Sequence, residues 1–332
     1  MVDPILSNAL IYGCVYAMMC VGLTLTYMTT KVPNFSHANF VVFSIFCGAT
    51  FFVFSGLKSP YETIPVAFVA GGGLALVMYL LVMKPMVKRG ANIVVLMIAT
   101  FAFSIVMDAV VAGVFFTFIQ QAYARFLGDA GYYFYDLNSL KDVLPNGATS
   151  IFGLRPILVL APVALVLTTA SLALLFRTKF GIAMRASIEN PNLAKILGIN
   201  VDRVYLVSWF LAGALAGVGG SLYSIQAPTP PSTSSNIIVD IFAGVVLGGV
   251  GSIYGGIIGG LIIGFSETYV INLLTTFTDT YFGYGAGSIV AQFQKGVPLA
   301  IMIVSLLLIP KGLTSVDWRK LVKNLSGGRL WT

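Results

Sequence analysis

Nine stretches of this chain are apolar all round and close to the length a helix needs to cross a bilayer. They are residues 5–28, 39–55, 64–83, 92–119, 157–176, 204–225, 237–250, 253–274 and 297–309. A helix rises 1.5 Å per residue, so about 20 apolar residues cross a hydrocarbon layer of about 30 Å. Strands of a closed barrel alternate polar and apolar side chains in blocks of about ten, and these runs do not. The predicted class is therefore all-α: a polytopic membrane protein with eight to ten transmembrane helices. The second, seventh and ninth runs are short or interrupted, and each is open to reading as a crossing or as a broken or re-entrant segment, which sets the range of the count.

Composition closes the soluble alternative. Charged residues make up 9% of the 332 and hydrophobic ones 58%. An ordinary soluble domain carries about 25% charge. Disordered chains are polar and charge-rich, which excludes that class as well. The net charge of +7 does not form a basic stripe on a polar domain, so nucleic acid is not an expected partner. The basic residues sit in short gaps instead: Lys31; Lys84, Lys88 and Arg89; Arg177, Lys179, Arg185, Lys195 and Arg203; and Lys311, Arg319, Lys320, Lys323 and Arg329. The positive-inside rule makes these gaps cytoplasmic. The C-terminus is then inside and, with nine crossings, the N-terminus outside. The first run is read as a retained span, since it lacks a charged n-region and is too long for a signal h-region.

The expected organisation is a membrane domain over residues 1–315 and a basic cytoplasmic tail over 316–332. Residues 120–156 form an outer loop, whose Tyr132, Tyr133, Phe134 and Tyr135 suit the membrane interface or an outside partner. Residues 177–203 form an inner loop. There, Asn190 and Pro191 mark a helix boundary. Leu193, Ile196 and Leu197 then recur at helical spacing up to Gly198, a short amphipathic helix facing the cytoplasm. Gly213 and Gly217, and Gly251, Gly255 and Gly259, recur every four residues and are expected to let helices pack closely.

Catalytic and nucleotide-binding motifs are missing. No Walker A or Rossmann glycine pattern occurs, and His37 is the only histidine, so no histidine-based zinc site forms. Cys14, Cys20 and Cys47 lie in apolar runs and read as small buried hydrophobes. Neither cofactor nor metal is expected. Three carboxylates lie within apolar runs. Asp108 has two open readings, a bundle hydrogen bond or a functional group. Glu267 is expected to snorkel outward, and Asp240 to sit at the opening of a short helix. The stretch Asn34-Phe35-Ser36-His37-Ala38-Asn39-Phe40, preceded by Pro33, places four polar side chains between two apolar runs. It is either a short cytoplasmic turn or a helix broken at membrane depth.

Several stretches together resemble one family. Asn34-Phe35-Ser36-His37 resembles the Asn-Phe-Ala-His signature of permease subunits of branched-chain amino acid ABC transporters, the H-type more than the M-type. Lys84-Pro85-Met86 with Lys88-Arg89-Gly90 resembles the family's Arg-Pro-Leu-Arg-Gly loop, followed by Ile98-Ala99-Thr100. Residues 180–186, Glu189-Asn190-Pro191 and Leu197-Gly198-Ile199-Asn200 resemble its cytoplasmic loop. Residues 247–253 with Gly255 resemble its glycine-rich stretch, and Pro310-Lys311-Gly312-Leu313 its ending. The chain departs from the family at Ala38-Asn39, where Gly-Glu often follows the histidine.

The resemblance implies a non-enzymatic subunit in the cell membrane. Its implied partners are an M-type permease in a heterodimer, two cytoplasmic ABC ATPases and an extracytoplasmic solute-binding protein. It implies that the inner loop receives the ATPase stroke, with Arg185, Glu189, Asn190, Ala194, Leu197 and Gly198 as the coupling residues. Asn34, Ser36, His37, Asn39 and Asp108 are the expected substrate path. The expected solute is a branched-chain or other hydrophobic amino acid. Urea, short amides or a sugar on the same architecture is the alternative, with an autonomous channel or ion-coupled carrier behind it.

Overall fold

In the computed structural model, residues 3–55, 59–117, 121, 156–283, 285 and 287–315 are described. The 132–135 aromatic cluster, with the outer-loop residues 122–155 that contain it, and the 316–332 tail lie outside them. The helices are α1 (Pro4–Thr30), α2 (His37–Ser55), α3 (Ile64–Met78), α4 (Lys84–Lys88), α5 (Ile93–Val110), α6 (Pro156–Arg177), α7 (Lys179–Glu189), α8 (Pro191–Ile196), α9 (Val201–Gln226), α10 (Thr233–Gly248), α11 (Ile253–Phe282), α12 (Gly287–Ala291) and α13 (Gly296–Leu308). A π-helical turn, Tyr79–Met83, joins α3 to α4, and a second one, Val111–Phe116, extends α5. Among the described residues there is no strand, and seven helical segments have the length and composition to cross a membrane. Two shorter apolar helices, His37–Phe52 and Thr233–Gly248, accompany them. The protein is an all-α, multi-pass membrane protein.

Burial separates a centre from a rim. The most apolar windows of α1 and α9 are 89% and 72% buried, against 17% for α5 and for the α13 segment. The centre is built on small residues. A Cβ at Gly213 would fall on the Gly71 carbonyl and one at Gly217 on that of Ala67, so α9 lies backbone-close to α3. Gly255 and Gly259 meet the Gly248 and Gly244 carbonyls of α10 in the same way. The neighbouring stripe Gly256, Gly260 and Gly264 lets α11 lie against α1. Gly251, grouped by its spacing with these packing glycines, has a different task. It sits in the turn between α10 and α11 at φ 101°, a conformation that a side chain disfavours, and among the described residues only the Tyr27 ring lies near its Cβ position.

The packing is duplicated and inverted. α1 pairs most extensively with α11, and α9 with α3. α2 packs on α3 and α9, while α10 packs on α11 and α1. Exchanging α1, α2 and α3 with α9, α10 and α11 preserves every one of these pairings. α1 runs towards Lys31, whereas α9 starts at that same end, where Asp202 pairs with Lys84 at 2.9 Å. Such inverted repeats are common in transporters. The basic gaps gather at this end. Lys31, Lys84, Lys88 and Lys195 line one cavity of about 430 Å³, and Arg185 lines another beside Gly251 and Tyr254. Lys311 joins them through its carbonyl, next to Gly249.

Candidate functional site

The polar heart of the molecule lies where two helices begin inside the bundle. After Lys31, at φ 56°, residues 31–36 leave the helical path. His37 Nε2 then donates to the Met19 carbonyl at 3.0 Å. Met19 lies eleven residues before the end of α1, or about 16 Å back along its axis. The segment therefore returns deep into the bundle and is not a turn at the surface. Local bonds hold it there. Asn34 Oδ1 accepts from the Ser36 N–H at 3.1 Å, the Phe35 N–H donates to Thr100 Oγ1 at 3.2 Å, and Ser36 Oγ donates to Met78 Sδ at 3.0 Å. The Phe35 ring stacks on Phe242 of α10.

The second entry comes from the opposite end. α9 ends at Gln226, whose amide bonds Asn8 near the start of α1. Residues 227–232, which include Pro228, Pro230 and Pro231, bring the chain back inside, and α10 begins at Thr233. Prolines fit here because these backbone positions make no helical N–H bond. The first turns of α2 and α10 meet at Asp108 of α5. Asn39 Nδ2 donates to Asp108 Oδ1 at 2.6 Å, and Ser234 Oγ donates to the same oxygen at 2.8 Å. Two helix N-termini, each with unpaired N–H groups and a partial positive charge, thus converge near one carboxylate.

The expected path residues are brought together but enclosed. Asn34, Ser36, His37 and Asn39 are each at most 1% exposed. Among the described residues, Asn34 Nδ2, His37 Nδ1 and Asn39 Oδ1 are buried without a hydrogen-bond partner. Unsatisfied groups of this kind are costly in low dielectric and are natural contacts for a polar solute or water. Asp108 bonds within the bundle through Oδ1, at the point where these residues meet.

A second polar cluster lies further along α10. Lys295 Nζ bonds Asp240 Oδ2 at 2.5 Å and Glu267 Oε1 at 2.8 Å, and the Tyr16 hydroxyl donates to Asp240 Oδ2 at 3.0 Å. Glu267 does not snorkel: it is 1% exposed, because the bundle supplies its cation. Asp240 is not at a helix opening either, since α10 begins seven residues earlier at Thr233. Lys295 arrives by a fold-back. α11 runs on to Phe282, Asp279 caps the N–H groups of Gly285 and Gly287, and α12 returns towards α11. Sequence reasoning missed Lys295. The one available signal was an isolated lysine just before an apolar run, with two unpaired carboxylates elsewhere.

At the basic end, α7 and α8 form a short helical pair. Thr178 and Asn190 cap them through side-chain oxygens that accept from Gly181 and Leu193. Gly198 ends the pair at φ 81°. Leu193, Ile196 and Leu197 are 52%, 81% and 69% exposed. Arg185, Glu189, Asn190 and Gly198 are exposed as well. Ala194, placed by sequence among the docking residues, differs from its neighbours: it is 1% exposed and buried within the chain.

Comparison with known proteins assigns this architecture. Residues 5–306 match the family model described as the branched-chain amino acid transport system / permease component. A probable branched-chain amino acid transport permease LivH of Methanocaldococcus jannaschii is 39% identical over 97% of this chain and 95% of its own length. The high-affinity branched-chain amino acid permease BraD of Pseudomonas aeruginosa is 25% identical over 93% of this chain and 94% of its own. A xylose permease, XylH of Haemophilus influenzae, is 36% identical over 32% of this chain and 30% of its own. No solved structure matches. The chain belongs to the permease family of branched-chain amino acid ABC transport systems.

Proposed function

We propose that this chain is the H-type permease subunit of an ABC importer for branched-chain or other hydrophobic amino acids. The observation that carries the reading is the likeness, over nearly the whole of both chains, to a protein named as a LivH permease. In this reading a second, M-type permease completes the pathway, two ABC ATPases bind at the basic end, and an extracytoplasmic binding protein delivers solute. The basic end is cytoplasmic, and the N-terminus lies outside, as the positive-inside rule favours.

The solute passes the junction of α2, α10 and α5, where Asn34, Ser36, His37, Asn39 and Asp108 supply polar contacts. Weak contacts suit such a route, because the binding protein supplies affinity. ATP acts from below through α7 and α8. The exposed Leu193, Ile196 and Leu197 face fits a helix-in-groove contact, with Arg185, Glu189, Asn190 and Gly198 around it. Ala194 is buried beneath this face, on the side through which movement of α8 would pass to the rest of the chain.

The test is reconstitution of the chain with its partner permease, ATPases and binding protein in liposomes. Leucine uptake that needs ATP and all components is the expected result. ATP-driven uptake of xylose or urea with leucine excluded would overturn the amino acid assignment. The partial likeness to the xylose permease makes the sugar the first such competitor. Flux through this chain alone would overturn the subunit assignment.

A further inference from the structure

We infer that Asp240, Glu267 and Tyr16 form a seat for a primary ammonium group, occupied by Lys295 in the resting protein and taken by the amino group of the transported solute when Lys295 withdraws. The choice of solute rests on the amino acid reading above; the seat itself does not.

Three observations carry it. The first is stoichiometry. Among the described residues two carboxylates face a single ammonium, and Asp240 Oδ1 remains buried without a hydrogen-bond partner. The seat therefore has more acceptor capacity than its occupant uses. The second is asymmetry of burial. The Asp240 and Glu267 side chains are 0% and 1% exposed, whereas that of Lys295 is 32% exposed. The carboxylates belong to the packed helices α10 and α11. Lys295 instead belongs to the fold-back that follows α12. Movement of that segment removes the cation and leaves the anions in place. Anions buried alone are costly, so a replacement cation is strongly favoured.

The third observation is the chemistry of the walls. Tyr16, Tyr12 and Tyr223 form an aromatic group, with ring centroids 5.7–6.3 Å apart, and the Tyr16 hydroxyl bonds Asp240. Carboxylates beside aromatic faces suit an alkylammonium, which needs charge pairing and tolerates apolar surroundings. Lys295 is itself a primary alkylammonium, so the seat already fits that group in size and hydrogen-bond geometry. The seat lies along α10 from the Asn39–Asp108–Ser234 junction, since Ser234 and Asp240 share that helix. A solute in the seat and a solute at the junction therefore contact the same element.

The experiment is ligand rescue of the full-length Lys295→Met chain in nanodiscs, read by its melting temperature. Removing the lysine is expected to lower Tm by several degrees. Methylammonium and leucine at high millimolar concentration should each restore at least half of the loss. Sodium chloride and 4-methylpentanoate, which lacks leucine's amino group, should not. If the variant is recovered only poorly, its yield when purified in methylammonium or in sodium buffer gives the same readout. The Asp240→Asn/Glu267→Gln/Lys295→Met chain removes every charge; it should melt near the parent and ignore all four ligands. No rescue by either amine, or equal rescue by sodium, would overturn the seat. Rescue by methylammonium with none by leucine would overturn the solute as its occupant, while leaving the uptake assay to judge the transport reading separately.

Discussion

Two regions of this protein reverse the usual distribution of charge and apolar surface. Inside the bundle, Asp240, Glu267 and Lys295 place three ionisable groups where a charge at a helix centre costs about 2.5–3.5 kcal/mol to insert. At the basic end, Leu193, Ile196 and Leu197 stand exposed on a short helix. The interior groups have found one another within the chain. The leucine face is left uncovered by the described residues. The contrast separates two jobs. The cluster ties interior helices to one another, and in the function proposed above the helix face serves assembly with other subunits.

The largest effect is expected from breaking the interior. Lys295→Met leaves two buried carboxylates without their cation and should cost about 3–5 kcal/mol, read by denaturant or thermal unfolding. The charge-free triple variant should recover most of that loss. A single variant as stable as the parent would show that the cluster does not hold the fold. Next in size are the close helix contacts. Gly259→Val drives a side chain into the Gly244 carbonyl and should cost about 1–3 kcal/mol or more. Gly251→Ala meets no such clash and costs only the strain of its positive φ, about 1–2 kcal/mol. Melting curves that rank these two the other way would overturn the separation of packing glycine from turn glycine.

Asp108→Asn sharpens the comparison from its polar side. The amide oxygen still accepts from Asn39 and Ser234, so stability should change by less than about 1 kcal/mol. Uptake by the assembled importer should nevertheless fall several-fold if the junction contacts solute. Unchanged uptake would remove Asp108 from the path. The smallest effect on stability belongs to the helix face. Leu197→Ser removes an exposed side chain and should leave the unfolding free energy within about 0.5 kcal/mol of the parent, read by denaturant unfolding.

The two regions were unequally legible in the sequence. Run length alone placed the helices, since 157–176 became Pro156–Arg177 and 297–309 became Gly296–Leu308. Pro33 and the four polar residues after it marked an interruption before His37 and left open a surface turn or a break at membrane depth. The helix face on α8 was legible because its spacing is local. The interior cluster was not. Asp240 and Glu267 are 27 residues apart, and Lys295 lies 28 beyond, in a gap without apolar periodicity. Only the packing of α10, α11 and the fold-back brings them together. The inverted pairing of the two halves was hidden for a similar reason: it resides in which helices touch, and apolar runs of like length do not encode their neighbours.

The most direct test of the account is a pull-down of the tagged chain, co-expressed with its ABC ATPases and solubilised in mild detergent. The parent should recover the ATPase, and the Leu193→Ser/Ile196→Ser/Leu197→Ser chain should recover little or none while melting like the parent. Equal recovery from both chains would contradict the claim that this face receives the stroke, and recovery from neither would contradict the claim that the chain is an ABC subunit.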